Sequence, residues 1–232
     1  MTETSPMPLG TAARATDTPA TVAPVRVQVA HPLLFAGAGI LFAAYQLLRP
    51  YADEGSLTGA LAMAGARWQI SHILAMLSFA LLSLAQLAVA RAAPVYAHRA
   101  AVAAAGGAGI GLFGLLPYYG GETFGLHAVA TEALARSDPS LLTLADDVRM
   151  APFPVTFFTL GSVGLLVSAV ATMLALVRSG RGWRCGLPFV VTAGLFVPQF
   201  FGTSVLRMGY GILFAVALAV VAFGWRPART KA

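Results

Sequence analysis

Charged side chains are scarce in this chain of 232 residues. Only 10% of the residues are Asp, Glu, Lys or Arg, whereas soluble domains carry about a quarter. The chain is 58% hydrophobic, and its mean hydropathy is +0.76. Because a soluble core of this length could not shield so much apolar surface from water, the composition excludes an ordinary soluble domain. It favours the lipid bilayer as the solvent.

Cysteine and lysine are also rare. The single cysteine, Cys185, excludes an internal disulfide, and we interpret it as a small apolar filler. All but one of the 15 basic residues are arginines, which is typical of a high-GC bacterial genome. They lie beside apolar segments and form no nucleic-acid patch, so we expect no nucleic-acid partner. The net charge of +6 is attributed to topology and to contact with anionic lipid headgroups.

Several familiar signatures are missing. The catalytic motifs HExxH, GxSxG, CxxC and the P-loop are absent, so the sequence marks no catalytic residue. Residues 1–30 lack the continuous apolar stretch of a signal peptide. We interpret them as a disordered cytoplasmic tail before an uncleaved first span, and 226–232 as a short basic cytoplasmic tail.

What the chain does contain is a set of long apolar runs. A transmembrane helix needs about 20 predominantly apolar residues, and uninterrupted runs without period-two alternation indicate helices and not a β-barrel. The sequence therefore predicts an all-α integral membrane protein with a membrane domain at 31–225. The six predicted spans are 32–48, 68–90, 100–116, 153–177, 188–206 and 209–223.

The basic residues orient these spans. Ten of the 15 fall in the two tails and the second and fourth connections, and five fall in the other connections. Because cytoplasmic loops are enriched in Arg and Lys, we expect both termini in the cytoplasm of a bacterial cell whose inner membrane holds the chain. The third connection, 117–152, then forms a short helical cap outside the cytoplasm.

Glycines concentrate in the third predicted span. The literal GxGxxG at 109–114 lies inside an apolar run, so a dinucleotide-binding loop is rejected. Gly107 and Gly111 instead form a GxxxG pair, which permits close approach between helices. This face is expected to pack against a neighbouring helix, and it offers a possible surface for self-association or for a partner subunit.

The cap segment holds most of the acidic charge. Residues 116–150 contain five of the nine acidic residues and His127. Pro117 is expected to end the third span, and 122–135 reads as helical, either lying in the outer interface or continuing that span beyond a kink. Glu122 and His127 lie five residues apart, about 140° on a straight helix, and so would not share a face.

Polar side chains gather at the predicted outer ends of the spans. Such a cluster is what a ligand pocket at the outer face would look like, although interfacial aromatic and basic residues also serve simply as membrane anchors. Arg207 could bind an anionic headgroup, pair with Glu122 or only extend towards the interface. The candidate pocket residues are His72, Glu122, His127, Trp68, Tyr119, Arg207 and Gln199.

His72 is the strongest single candidate in this set. It follows Trp68 by four residues and so shares its helix face. It could donate one interhelical hydrogen bond. It could also join Glu122 and His127 in holding a transition metal, or face His127 across a haem, with His31 and His98 as a second pair.

Three functional hypotheses follow. The first is a protein that binds a small ligand, lipid or partner subunit at the outer face without catalysis and without a cofactor. The second is a metal- or haem-dependent redox enzyme that uses His72, Glu122 and His127. The third is a small-solute transporter, for which only Pro198 and Gln199 interrupt the apolar spans near the middle of the bilayer.

Overall fold

A computed structural model of the chain describes residues 30–225. All regular structure in that range is helical, which confirms the predicted all-α class. The predicted tails, 1–30 and 226–232, lie outside the described residues except for Ala30. The α-helices are α1 Ala30–Leu48, α2 Leu57–Ala64, α3 Ala66–Ala92, α4 Val95–Gly120, α5 Leu126–Arg136, α6 Leu144–Met150, α7 Pro152–Arg178, α8 Leu187–Gly194 and α9 Ser204–Gly224. A π-helical turn, Gly121–Gly125, joins α4 to α5, and 3₁₀ turns occupy Pro139–Thr143, Trp183–Cys185 and Pro198–Phe201.

Five helical segments are long and apolar enough to cross a bilayer. Their outward faces carry exposed Leu, Ile, Val and Phe side chains, which only an apolar solvent accommodates at this density. The chain is therefore a multi-pass helical membrane protein. The five segments are His31–Leu48, Ala66–Ala92, Val95–Arg136, Pro152–Arg178 and Ser204–Gly224.

The predicted fifth span, 188–206, differs from a single helix. It begins as α8, loses regularity after Gly194 and continues as the 3₁₀ turn Pro198–Phe201. Pro198 has no N–H to donate to the carbonyl of Gly194, so the α-helical ladder stops there. The last helix begins at Ser204 and not at 209, because Thr203 caps it by accepting a hydrogen bond from the main-chain N–H of Leu206.

The expectation that Pro117 ends the third span is wrong. The helix runs through Pro117 to Gly120, passes into the π-turn and continues as α5, which gives one helical segment of 42 residues. In the π-turn the N–H of Leu126 bonds to the carbonyl of Gly121, five residues back. Pro117 itself costs α4 only the bond to the carbonyl of Phe113, a loss that membrane helices tolerate when neighbouring helices pack around them. The predicted helix at 122–135 thus continues the span.

A small cap covers one end of the bundle. It is built from α2, α5, α6 and the 3₁₀ turn before α6, and it has an apolar core of its own. The connection between the first two predicted spans, 49–67, contains α2, which packs on α5. The core residues of the cap are Ala60, Met63, Trp68, Leu126, Ala130, Ala133, Leu142 and Ala145.

The most extensive helix–helix contact in the described part of the chain is that of α4 with α7. A Cβ at Gly114 would lie 2.4 Å from the main-chain oxygen of Phe157, and one at Gly107 would lie 2.6 Å from the nitrogen of Ser168. Only glycine permits these approaches, so the close approach predicted for Gly107 and Gly111 is confirmed with α7 as the partner. That face is used within the chain, and self-association remains a prediction that would require another face.

Candidate functional site

The capped end of the bundle, here called the site end, brings distant polar residues together. Gln46 of α1 donates to Gln199 at 3.2 Å, and the indole N–H of Trp68 donates to the main-chain oxygen of Glu122 at 2.7 Å. At the opposite end, His31 Nε2 lies 3.5 Å from the carbonyl oxygen of Trp225. The spanning helices run from the end that contains His31 and Trp225 to the site end. The site end therefore lies at one face of the membrane.

Four charged side chains form a continuous network at the site end. Glu122, in the π-turn, is only 7% exposed. Arg149 of α6 donates two hydrogen bonds to it, from Nε to Oε1 at 2.6 Å and from Nη2 to Oε2 at 3.0 Å. Arg149 Nη2 also lies 2.6 Å from Glu54 Oε2, and Arg49 Nη2 lies 2.8 Å from Glu54 Oε1. Two guanidiniums and two carboxylates therefore balance one another, with the paired geometry that arginine favours.

Both arginines of the network stay charged. Burial by itself would lower the pKa of the Arg149 guanidinium, but its hydrogen bonds and its proximity to Glu122 and Glu54 outweigh burial and raise that pKa. Burial acts in the same direction on Arg49, and the nearby acidic groups, Tyr45 foremost and then the two glutamates, raise its pKa overall. The two guanidiniums of the network are therefore cationic throughout the physiological pH range.

His72 lies beneath the network and is tied to its own helix. Its Nδ1 lies 2.8 Å from the carbonyl oxygen of Trp68, four residues earlier, and its ring packs 4.3 Å from that of Trp68. Because a carbonyl oxygen only accepts, Nδ1 carries the proton and donates it. Nε2 then faces Glu122 Oε2 at 3.8 Å, which is too long for a hydrogen bond. The structure thus brings His72 and Glu122 close together. The hydrogen bond of His72, however, is made to Trp68 within α3 and not to Glu122.

His127 does not join this pair. Its Nδ1 lies 3.3 Å from the carbonyl oxygen of Met63, so it contacts α2 within the cap. Residues 30–225 contain no group of three or more His, Cys, Asp or Glu side chains placed to hold a metal ion. At the opposite end of the bundle, His98 is exposed while His31 is buried. The redox hypothesis remains a prediction, without a converging ligand set in this part of the chain.

Arg207 occupies a different position from the other two arginines of the site. Its guanidinium stacks over the rings of Tyr51 and Phe200, with centroid distances of 5.5 and 5.3 Å. It forms no ion pair among the described residues, with Glu122 or with any other carboxylate. Its Nε is buried without a hydrogen-bond partner, as are Nε and Nη1 of Arg49. Unused N–H donors of two guanidiniums therefore remain at the site end.

A cavity of about 610 Å³, here called the site cavity, opens among these groups. Its volume lies within the range of small-molecule sites. Of the predicted pocket residues, Tyr119, Glu122 and Arg207 line it, whereas Trp68, His72, His127 and Gln199 do not. Its polar half contains Tyr45, Arg49, Asp53, Glu54, Tyr118, Tyr119, Glu122, Arg149 and Arg207, and its apolar half contains Ala52, Met150, Val155, Phe158, Val197, Phe200 and Phe201.

Sequence reasoning missed the two residues that organise the site. Glu54 and Arg149 sit in connections between predicted spans, 95 positions apart, and nothing in either local pattern points to the other. One available signal was the surplus of acidic residues in the connections assigned to the outer face. Buried carboxylates need cations beside them, so the few arginines in those connections were candidates for such pairs.

Comparisons with protein-family models, with curated proteins and with solved structures each found no match.

Proposed function

We propose that this chain is a multi-pass protein of the bacterial inner membrane that binds a small molecule carrying an anionic group in the site cavity. The distribution of basic residues supports both termini lying in the cytoplasm and the site end lying at the outer face. The observation that carries the binding proposal is the set of unused guanidinium N–H donors of Arg49 and Arg207.

An anion suits these donors because of the cost of leaving them unsatisfied. A buried donor without a partner loses its bond to water and gains nothing in return, which costs about 1–3 kcal/mol and more for a charged group. Oxygen atoms of a phosphate or carboxylate between Arg49 and Arg207 would restore those bonds. Charge-assisted bonds of this kind are shorter and roughly twice as strong as neutral ones.

The acidic groups of the cavity are already engaged, which favours binding over catalysis. Glu122 is held by Arg149, and Glu54 is shared between Arg149 and Arg49. Asp53 is exposed, and its Oδ1 accepts from the main-chain N–H of Gly55 at 3.2 Å. Each carboxylate that lines the cavity therefore has a structural partner, and His72 does not line it.

The natural tryptophans make a direct binding assay possible. Trp68 lies under Arg49, with the guanidinium 5.0 Å from its ring. Trp225 lies at the opposite end, and the 3₁₀ turn Trp183–Cys185 packs on the end of α9 beside it. In a Trp183→Phe/Trp225→Phe background, Trp68 becomes the only tryptophan. We would titrate this protein, in discs of zwitterionic lipid, with inorganic phosphate, acetate and glycerol 3-phosphate, using ethanolamine as the cationic comparison.

We expect a saturable change in Trp68 fluorescence with at least one anion and none with ethanolamine. Arg207→Gln should weaken that binding at least about tenfold, because one charge-assisted interaction is worth about 1.5–3 kcal/mol. Arg136→Gln is the matched control, since Arg136 lies on the same face but pairs with Glu132 outside the cavity. Absence of a saturable response to every anion, or an equal loss in both variants, would refute the proposal.

A further inference from the structure

The site cavity has two chemically different halves. One half presents the guanidiniums of Arg49 and Arg207, and the other is formed by apolar side chains, five of which come from two elements. Val155 and Phe158 come from the first turns of α7, and Val197, Phe200 and Phe201 come from the chain between α8 and α9. We call these five residues the apolar wall. A purely hydrophilic anion would leave this wall unused.

The apolar wall continues onto the surface that faces the bilayer. Phe201 is 89% exposed, and Val155 and Val197 are also exposed to the surroundings of the bundle. Phe200 lies inside, where its ring packs 5.5 Å from Phe158 and under Arg207. A continuous apolar surface therefore leads from the guanidinium of Arg207 to the outside of the bundle.

The broken segment between α8 and α9 creates this opening. A regular helix through 194–203 would present its side chains at a constant spacing along α7. Instead, Pro198 interrupts the ladder, and the 3₁₀ turn turns Phe200 inward while leaving Phe201 outward. Val197, Phe200 and Phe201 therefore all line the cavity. Phe200 forms the inner part of the apolar wall, and Phe201 forms its outer part.

The geometry points to an anionic membrane lipid as the ligand, with its phosphate at Arg49 and Arg207 and its acyl chain along the apolar wall into the bilayer. This inference rests on the proposed function, because it names the chemical class of the molecule bound in the same cavity. The lipid satisfies the unused donors and covers the exposed apolar side chains at once. A free phosphate would satisfy only the donors.

The test uses the full chain in discs of phosphatidylcholine, with and without phosphatidylglycerol. Native mass spectrometry counts the lipids that stay bound after the disc is removed. Displacement of bound glycerol 3-phosphate, followed by Trp68 fluorescence, reports whether the lipid occupies the same cavity. We expect phosphatidylglycerol to be retained in preference to phosphatidylcholine and to displace glycerol 3-phosphate. In Arg207→Gln, we expect both the preferential retention and the displacement to be lost.

Variants of the wall separate a lipid from a soluble anion. Val155→Thr/Phe201→Ser should lower retention of phosphatidylglycerol at least about fivefold, since each buried CH₂ is worth roughly fourfold in affinity, and leave glycerol 3-phosphate binding unchanged. Phe153→Ser is the matched control: Phe153 is 79% exposed on the same turn of α7 but does not line the cavity. All three positions are exposed, so these changes leave the core intact.

The possible failures are distinguishable. If glycerol 3-phosphate binds but phosphatidylglycerol is neither retained nor able to displace it, the lipid inference fails and the proposed function stands. Equal losses in Phe153→Ser and in the wall variant would also overturn the inference, because the wall would then have no special role. If neither probe binds, both proposals fall.

Discussion

Removing the guanidinium of Arg149 should destabilise the protein more than removing the carboxylate to which it binds. In Arg149→Gln, the carboxylate of Glu122 keeps its burial but loses both bonds, at 2.6 and 3.0 Å. His72, 3.8 Å away, is too distant to replace them. In Glu122→Gln, by contrast, Arg149 keeps its 2.6 Å contact with Glu54 and is partly exposed to solvent.

The expected loss in the free energy of unfolding depends on which charge is left buried without a partner. Breaking a buried ion pair by removing one partner costs about 3–5 kcal/mol. Arg149 is one-fifth exposed and Glu54 shares it, so we expect about 3 kcal/mol for Arg149→Gln and about 1 kcal/mol for Glu122→Gln. The double variant should recover at least half of the larger loss, because two amides replace the pair without a stranded charge.

The measurement is reversible unfolding in mixed micelles of increasing SDS fraction, followed by far-UV circular dichroism. The exposed Arg136–Glu132 pair supplies the control, since both side chains are more than half exposed and such pairs contribute about 0–1 kcal/mol. Arg136→Gln should therefore leave the free energy of unfolding nearly unchanged. An Arg149→Gln loss no larger than that of Arg136→Gln, or smaller than that of Glu122→Gln, contradicts the reasoning.

Three further outcomes are expected. Gly114→Ala should cost about 1–3 kcal/mol in the same unfolding assay, because its Cβ would meet the main chain of α7, whereas Gly109→Ala, with nothing within 4 Å, should be neutral or slightly stabilising; equal effects would refute the α4–α7 contact. In a cysteine-free background of intact cells, an impermeant maleimide should label Ser140→Cys and miss His98→Cys, and the reverse pattern would invert the topology. Purified protein should show no Soret band, and a band lost on His72→Ala would revive the haem hypothesis.

Much of the fold could be predicted because it depends on composition. Each spanning helix is an apolar run whose length is fixed by the bilayer, so hydropathy locates it without knowledge of its neighbours. The close approach at Gly107 and Gly111 was predictable for a similar reason, since a missing Cβ is a local property. The partner of that face, α7, could not be read from α4 alone.

The charge network was less accessible, because it depends on three-dimensional pairing. Arg149 reaches Glu54 and Glu122 across 95 and 27 positions of sequence, through a cap whose own core had to be assembled first. The histidines illustrate the same limit. His72 and Glu122 come together from two different helical segments, whereas His127, close to Glu122 in sequence, contacts Met63 of α2 instead.

The site lies where the chain departs furthest from regular helix. Within six residues, α4 contains Pro117, enters a π-turn and buries the carboxylate of Glu122. That residue fixes two elements at once, because its main-chain oxygen accepts from Trp68 of α3 and its side chain binds Arg149 of α6. A regular helix ending at Pro117 would place neither atom there. Local irregularity that costs stability is expected where function requires it, and here it assembles the polar half of the cavity, while the break at Pro198 assembles the apolar half.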